Sequence, residues 1–287
     1  WCENLTLVDF ELNSKLEFIN DYAFYQSALT NIVIPSQVEK IGKYAFSCCK
    51  YLKSFSFQDR SQITIIDDYC FDRSSITSIT IPKSIEKIGK FAFFACKKIA
   101  NIELDTNSDL EIIEESTFEK SAIVSIEIPL NIKTIGKAAF CGCKRLGTIE
   151  IPYESQLIEI KESAFASSSI KRIYLPLSLQ KISTSAFAWC PFLRFISFPE
   201  DSELTTIEES IFDNCLLRHL NLPNSITTMK EGWCIGATAL AKFSIPATNP
   251  HFSYIDDTYL IQSKDNDESI LLFARRDLTN AVIPSHV

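Results

Sequence analysis

A phenylalanine, or a residue in its place, recurs along the chain at spacings that alternate between 22 and 25 residues. The complete unit is therefore a 47-residue double repeat made of two unequal halves. A fixed period of this length is typical of a solenoid, in which each repeat buries its apolar face only against its neighbours. Individual residues are then best interpreted as members of columns. The column consists of Phe24, Phe46, Phe71, Phe93, Phe118, Phe140, Phe165, Phe187, Phe212 and Cys234.

A short strand is predicted in each coil, and a proline follows it in most coils. In the segment Ile76–Ile81, apolar residues occupy the first, fourth and sixth positions, and Pro82 follows. The alternation of Ile and Thr indicates a strand with one buried face, and a proline, which lacks an N–H, ends it. Stacked at about 4.8 Å, these strands would form a sheet roughly 50 Å long. The strands are predicted to begin at Leu5, Leu29, Leu52, Ile76, Ile99, Ile123, Leu146, Ile170, Leu193, Leu217 and Leu240, with a further one near Leu278.

The segment between the strand and the phenylalanine predicts a short helical turn. In the pattern Ile85-x-x-Ile88-Gly89-x-x-Ala92-Phe93, a small residue precedes the ring. Such a residue would let the backbone approach the core while the ring fills it. Three residues are too few for a stable helix on their own, so packing would have to hold the turn in place.

Charges alternate in sign from coil to coil, three residues before each phenylalanine. Each charge would then lie between two opposite charges about 5 Å away, because that is the spacing of adjacent coils. Exposed pairs contribute only about 0–1 kcal/mol each, so we expect this column to fix the register. It consists of Asp21, Lys43, Asp68, Lys90, Glu115, Lys137 and Glu162.

The cysteines share a column with serine and alanine, which indicates a small buried slot. Cys49, Cys96 and Cys143 alternate with serine, so their nearest sulfurs would lie two coils apart, near 10 Å. A disulfide needs Cα atoms within about 7 Å, so we expect buried free thiols. Cys190 and Cys215 lie on adjacent coils and are the exception, since they could approach each other.

The composition argues against several classes of function. A net charge of −8 disfavours general nucleic-acid binding, and no apolar run is long enough for a transmembrane helix. The three histidines are scattered and the acidic residues are spread one or two per coil, so we expect no metal site, no cofactor and no enzyme activity. The segment Cys2-Glu-Asn-Leu5 matches Cys49-Lys-Tyr-Leu52, which suggests a piece of a longer repeat protein.

The outward-facing strand positions predict where a partner would bind, since they have no packing role. An acidic row, defined by Glu103, Glu127 and Glu150, is followed by a stretch rich in basic and aromatic residues. Arginine and aromatic residues are enriched in interface cores, although random variation on a solvated face remains the alternative. The predicted binding residues in the second zone are Arg172, Tyr174, Arg194, Phe195, Arg218 and His219.

These columns resemble a known repeat family. The pattern Val38-x-x-Ile41-Gly42-x-x-Ala45-Phe46-x-x-Cys49-x-x-Leu52 is similar to the BspA-like leucine-rich repeat. Asn249-Pro-His-Phe252, Asp256-Asp257-Thr-Tyr259-Leu260 and Leu271-Leu272 resemble its hairpin-bearing variant repeat. We therefore expect a solenoid of ten to eleven coils over residues 1–248, and over residues 249–287 the variant repeat with the start of a further coil.

The resemblance implies an α/β repeat solenoid: a right-handed leucine-rich repeat horseshoe with a parallel β-sheet on the concave face and short helical turns on the convex face. It also implies a non-catalytic protein at the surface of mucosal bacteria or parasitic protists, where such proteins adhere to host cells or extracellular matrix. The partner would be a protein or glycoprotein, with no direct membrane insertion. An intracellular scaffold or regulatory subunit of the same fold is the alternative. The sequon Asn4-Leu-Thr6 would separate the two, since glycosylation requires the secretory route.

Overall fold

The chain is a parallel β-solenoid. The computed structural model describes residues 2–11, 13–255, 259–263 and 269–274. Strands β1–β23 are numbered in chain order. The even-numbered strands to β20 form the main sheet: β2 (Asn31–Ile34), β4 (Ser54–Phe57), β6 (Ser78–Ile81), β8 (Asn101–Leu104), β10 (Ser125–Glu127), β12 (Thr148–Glu150), β14 (Arg172–Tyr174), β16 (Phe195–Ser197), β18 (His219–Asn221) and β20 (Lys242–Ser244).

A second parallel sheet, which the sequence analysis did not predict, consists of two-residue strands. They form where the second apolar pair of each coil lies, one after each main strand. The strands are β1 (Phe18–Ile19), β3 (Lys40–Ile41), β5 (Ile65–Ile66), β7 (Lys87–Ile88), β9 (Ile112–Ile113), β11 (Thr134–Ile135), β13 (Glu159–Ile160), β15 (Lys181–Ile182), β17 (Thr206–Ile207) and β19 (Thr228–Met229).

The main strands bury alternate residues, as the sequence predicts. In β6, Ile79 and Ile81 are buried, whereas Ser78 and Thr80 are exposed. Alternation follows from strand geometry, because successive side chains point to opposite faces. The strand predicted at Leu5 is absent: residues 5–10 contain no strand, although Leu5 packs against the core.

Backbone pairing in the main sheet alternates with the length of the half-repeats. Strands 23 residues apart, such as β2 and β4, pair along their whole length, from Asn31↔Ser54 to Ile34↔Phe57. Strands 24 residues apart pair through one residue or none: β4 and β6 share only Ser54↔Ser78, and β16 and β18 belong to different sheets. The main sheet is therefore a series of strand pairs separated by looser seams.

The predicted helical turns are wrong, because no helix occurs among the described residues. Around Phe46, Tyr44 and Cys48 have positive φ angles of 56° and 59°, which a right-handed helix excludes. The Ser47 N–H donates to the Tyr44 carbonyl at 3.1 Å, whereas the Phe46 N–H donates to the Cys70 carbonyl of the next coil at 2.8 Å. Alternate N–H groups thus bond between coils, which leaves overlapping β-turns instead of a helix.

The phenylalanine column is a continuous stack of rings in the core. Phe118 is 1% exposed, and its ring centroid lies 5.5 Å from that of Phe93 and 5.3 Å from that of Phe140. The stack begins at Phe24 and ends at Phe212. Beyond it, Cys234 is only half-buried, and the neighbouring Trp233 supplies the large buried side chain.

A second aromatic stack, unforeseen in the sequence, lies two residues before the phenylalanines. Tyr22, Tyr44, Tyr69 and Phe91 all have positive φ, and their successive ring centroids are 4.9, 4.7 and 4.7 Å apart. The rings are nearly parallel, at 7°, 8° and 4°. Stacking of neighbouring rings is consistent with the tolerance of left-handed backbone at residues other than glycine.

The alternating charges pair between coils, as predicted. Lys43 contacts Asp68 at 3.0 Å, and the equivalent ion pairs Lys90–Glu115 and Lys137–Glu162 measure 3.1 and 2.9 Å. Backbone approach is close here: a Cβ atom added to Gly42 would lie 2.6 Å from the amide nitrogen of Asp21. A side chain at this glycine would therefore displace the adjacent coil.

The cysteine column forms a ladder of buried thiols. The Cys49 thiol donates to the Phe24 carbonyl at 3.0 Å and contacts the Ser27 hydroxyl at 3.3 Å. Burial raises the pKa of the Cys96 and Cys143 thiols to about 12. These thiols are therefore protonated and shielded at neutral pH. The thiol ladder comprises Cys49, Cys96, Cys143, Cys190 and Cys215, all buried and none in a disulfide.

We expect the thiol ladder to be unreactive in the folded protein. A thiol reagent should label exposed Cys2 under native conditions and the ladder cysteines only after denaturation. Quantitative thiol counting with mass spectrometry measures both states, and the Cys2→Ser variant should remove the fastest native reaction. Disulfides among ladder cysteines of the folded protein would contradict the prediction.

A buried carboxylate interrupts the turn region near Cys70. Asp72 contacts Arg73 at 3.3 Å and Ser47 at 3.5 Å through Oδ2, and its Oδ1 atom has no hydrogen-bond partner among the described residues. Burial raises the pKa of Asp72, while Arg73 partly opposes the rise. The folded state therefore holds this proton more tightly than the unfolded state does. Stability from Asp72 is present at acid pH and is lost as pH rises through its folded pKa.

Asp72→Asn should raise the free energy of unfolding by about 1 kcal/mol at pH 7, because no charge is then buried. The gain should shrink as pH falls below the pKa of Asp72, where the wild-type carboxyl is protonated. Thermal melts of both proteins from acid to neutral pH test this. A destabilised variant at pH 7 would show that the Arg73 contact outweighs the cost of burial.

The C-terminal part differs in topology from the coils. Strands β21 (Phe252–Ile255), β22 (Tyr259–Ser263) and β23 (Ser269–Ala274) form an antiparallel sheet. Phe273 of β23 is buried, with its ring centroid 6.1 Å from that of Trp233. The predicted Asp256-Asp257 turn and the further strand near Leu278 lie outside the described residues.

Candidate interaction surface

The acidic row lies on the exposed face of the main sheet. Glu103, Glu127 and Glu150 extend from β8, β10 and β12, and Glu127 is the direct register partner of Glu150. The Thr80 hydroxyl donates to Glu103 at 2.9 Å. Like charges placed directly opposite each other repel, so this row costs stability in the free protein. The three carboxylates make no ion pair with the described residues.

The next strand pair presents exposed aromatic rings on the same face. Tyr174 of β14 is 55% exposed and Phe195 of β16 is 47% exposed. Their ring centroids are 5.5 Å apart and their planes are tilted by 55°. Arg172 lies beside Phe195 as its register partner. The structure thus brings together three of the predicted binding residues.

An open pocket of about 420 Å³ lies over this strand pair. Its cations, Lys171, Arg172 and Arg194, make no ion pair with the described residues. No carboxylate lines it. We call it the basic aromatic pocket; its lining residues are Lys171, Arg172, Tyr174, Phe192, Arg194 and Phe195.

Phe192 is the lining residue that the predicted binding set omits. It is 49% exposed and precedes Leu193, outside the strand positions from which the binding residues were predicted. The same column elsewhere contains polar residues such as Lys98 and Arg145. A phenylalanine at a largely polar position was the signal that could have revealed it.

Arg218 and His219 lie outside the pocket. His219 begins β18, which pairs with β20 through His219↔Lys242 but not with β16. A seam therefore separates both residues from the pocket, although they are exposed on the adjacent strand. They extend the positive charge beyond the pocket instead of lining it.

The described residues offer no evident centre for chemistry. Within them, no cluster of three or more His, Cys, Asp or Glu side chains could hold a metal ion. No helix in the described part of the chain is long and apolar enough to cross a membrane.

Sequence comparison identifies the repeat. The profile of the BspA type leucine rich repeat region matches in six copies, over residues 1–97, 64–194, 111–241 and 158–263. The chain belongs to the BspA-type leucine-rich repeat family. No curated protein matches it significantly.

Two solved structures share the fold of this BspA-type chain. A leucine-rich repeat protein from Bacteroides ovatus aligns with a TM-score of 0.56 and 23% identity, covering 85% of this chain and 71% of the other. The pneumococcal vaccine antigen PcpA aligns with a TM-score of 0.51 and 24% identity, covering 86% and 76%. At this level of identity the similarity establishes the solenoid fold, and the binding surface has to be argued from the residues of this chain.

Proposed function

We propose that this BspA-type protein is a non-catalytic recognition module that binds a macromolecular partner through the exposed face of its main sheet. The observation that supports it most is the basic aromatic pocket. Tyr174, Phe192 and Phe195 expose large rings beside cations that have no acidic partner. Rings and arginines with no packing role are the residues that dominate binding energy in protein interfaces.

Adhesion at a cell surface is the biological role we propose. The structurally similar PcpA is a vaccine antigen, and a vaccine antigen has to be accessible to antibodies. A solenoid also suits adhesion, since its stacked coils present one extended face to a large partner. The proposed partner is a protein or glycoprotein of a host cell or of the extracellular matrix.

Binding of coated beads to cultured epithelial cells and to purified matrix proteins tests this role. Beads that carry the chain should bind well above albumin-coated beads, and soluble chain should compete. Raising the ionic strength should weaken the binding, because the exposed charges are screened. Binding no stronger than that of albumin would contradict adhesion.

The thiol ladder favours a second candidate, an intracellular scaffold or regulatory subunit. Secreted proteins more often use cysteine in disulfides, whereas these cysteines remain thiols. Asn4 of the sequon is exposed, so glycosylation there is sterically open. A glycan on Asn4 in native material would favour the secreted role, and a nuclear or cytosolic location in fractionated cells would favour the scaffold.

The acidic row should control the rate of association more than the affinity. Replacing Glu103, Glu127 and Glu150 with Gln should change the association rate constant and flatten its dependence on salt, because exposed charges act mainly through steering. Stopped-flow or surface-plasmon measurements at several ionic strengths would show this. The variant should also melt at a slightly higher temperature, since the repulsion is removed. A change confined to the dissociation rate would contradict the steering role.

A further inference from the structure

We propose that the basic aromatic pocket binds an acidic peptide segment in which carboxylates flank aromatic or aliphatic side chains. The inference rests on the recognition function proposed for the main sheet and names the chemistry of the partner. It follows from three properties of the pocket: its cations, its rings and the charge of the adjacent strands.

The polar groups of the pocket are suited to carboxylates. Arginine and lysine have only hydrogen-bond donors, and a carboxylate has only acceptors, so each satisfies the other. Lys171, Arg172 and Arg194 line the pocket without any Asp, Glu, Asn, Gln, Ser or Thr side chain. A neutral sugar both donates and accepts through its hydroxyl groups, and the lining gives it almost no acceptor. The tyrosine hydroxyl of Tyr174 is the one exception among the lining side chains.

The three rings provide the apolar part of the site. Tyr174 and Phe195 are tilted by 55° instead of stacked flat, and Phe192 adds a third ring to the lining. Aromatic partners prefer tilted or offset geometry, so a phenylalanine or leucine of the peptide can pack against these rings. The backbones of β14 and β16 already bond to each other, so the peptide is recognised through its side chains and not as an added strand.

The surrounding charges give the bound peptide a direction. Glu150 of β12 precedes the pocket, whereas Arg218 and His219 follow it on β18. Carboxylates of the peptide are repelled on the β12 side and attracted on the β18 side. Its acidic end therefore lies toward β18, and Glu150→Gln should strengthen binding about twofold.

A probe peptide tests the assignment directly. A fluorescein-labelled peptide of sequence Glu-Phe-Glu-Glu-Phe-Glu should raise its anisotropy when titrated with the whole chain. The same peptide with Gln in place of every Glu should bind at least about tenfold more weakly, since charge-assisted hydrogen bonds are lost. The double variant Arg172→Ala/Arg194→Ala should weaken binding of the acidic peptide by at least about tenfold for the same reason.

The repeat provides a matched control. Asn31 and Lys53 occupy the equivalent exposed positions on β2 and just before β4, three double repeats earlier. The double variant Asn31→Ala/Lys53→Ala should bind the acidic peptide as the parent does. Thermal melts should show both double variants folded, because none of the four side chains is buried.

Three outcomes would overturn the assignment. Equal binding of the acidic and neutral peptides would remove the role of charge, and absence of binding by the acidic peptide would remove the site. Binding of heparin that the acidic peptide does not displace would assign the pocket to a sulfated glycan instead. None of these outcomes decides the broader function, which depends on the bead assay with cells and matrix.

Discussion

Replacing Phe118 with Ala should lower the free energy of unfolding by about 3–5 kcal/mol and split the unfolding transition in two. The side chain is 1% exposed and stacked between Phe93 and Phe140, so its removal leaves a cavity that the adjacent coils cannot fill. Stability in a solenoid is close to a sum of nearest-neighbour terms. A defect in the middle of the stack therefore uncouples the coils on its two sides.

The matched control is Phe24→Ala, at the same position two double repeats earlier. Phe24 is half-buried and stacks only on Phe46, so its loss should fray one coil and leave the main transition nearly unchanged. Calorimetry and denaturant titration of both variants measure the effect. Equal losses of stability in the two variants would contradict a linear, nearest-neighbour solenoid.

Much of the fold could be predicted from the sequence because the core is written in columns. Ile79 and Ile81 are buried and Ser78 and Thr80 exposed, as strand alternation requires. The ion pair Lys43–Asp68 was predictable for the same reason, since a repeat places equivalent residues one coil apart.

The turns could not be predicted in the same way. A positive φ is usually signalled by glycine or asparagine, yet Tyr44 and Cys48 adopt it. Hydrogen bonds to the next coil decide the backbone there: the Cys48 N–H donates to the Asp72 carbonyl at 2.7 Å. Such inter-coil bonds are a property of the stacked structure, and the pattern of a single coil does not contain them.

The candidate site was predicted in part. Arg172, Tyr174 and Phe195 lie together because strand alternation determines which side chains face outward. Phe192 was missed because it precedes the strand. Arg218 was included although a seam separates its coil from β16. That seam follows from the 24-residue offset between strand starts, which is readable in the sequence but has no meaning until the pairing is known.

Removing the exposed basic and aromatic groups should weaken binding of the cellular or matrix partner at least tenfold, a loss of about 1.4 kcal/mol. The variant is Arg194→Ala/Phe195→Ala/Arg218→Ala, which deletes two cations and one ring from the exposed face. Arginine and aromatic residues combine charge-assisted hydrogen bonds with a large contact area, so their loss should raise the dissociation rate. The variant should melt like the parent, because all three side chains point away from the core.

Lys53, Ser54 and Thr77 occupy the equivalent positions three double repeats earlier and are equally exposed. The control variant Lys53→Ala/Ser54→Ala/Thr77→Ala therefore makes the same truncations in the same repeat context, without the basic aromatic pocket. It should retain the dissociation constant of the parent in surface-plasmon or cell-binding measurements. If both triple variants bind as the parent does, the partner contacts another surface, and the turns opposite the main sheet or the antiparallel strands β21–β23 become the places to test. If both lose affinity equally, the whole main sheet contributes and the pocket has no special role, because only a local site distinguishes two variants that the repeat makes otherwise alike.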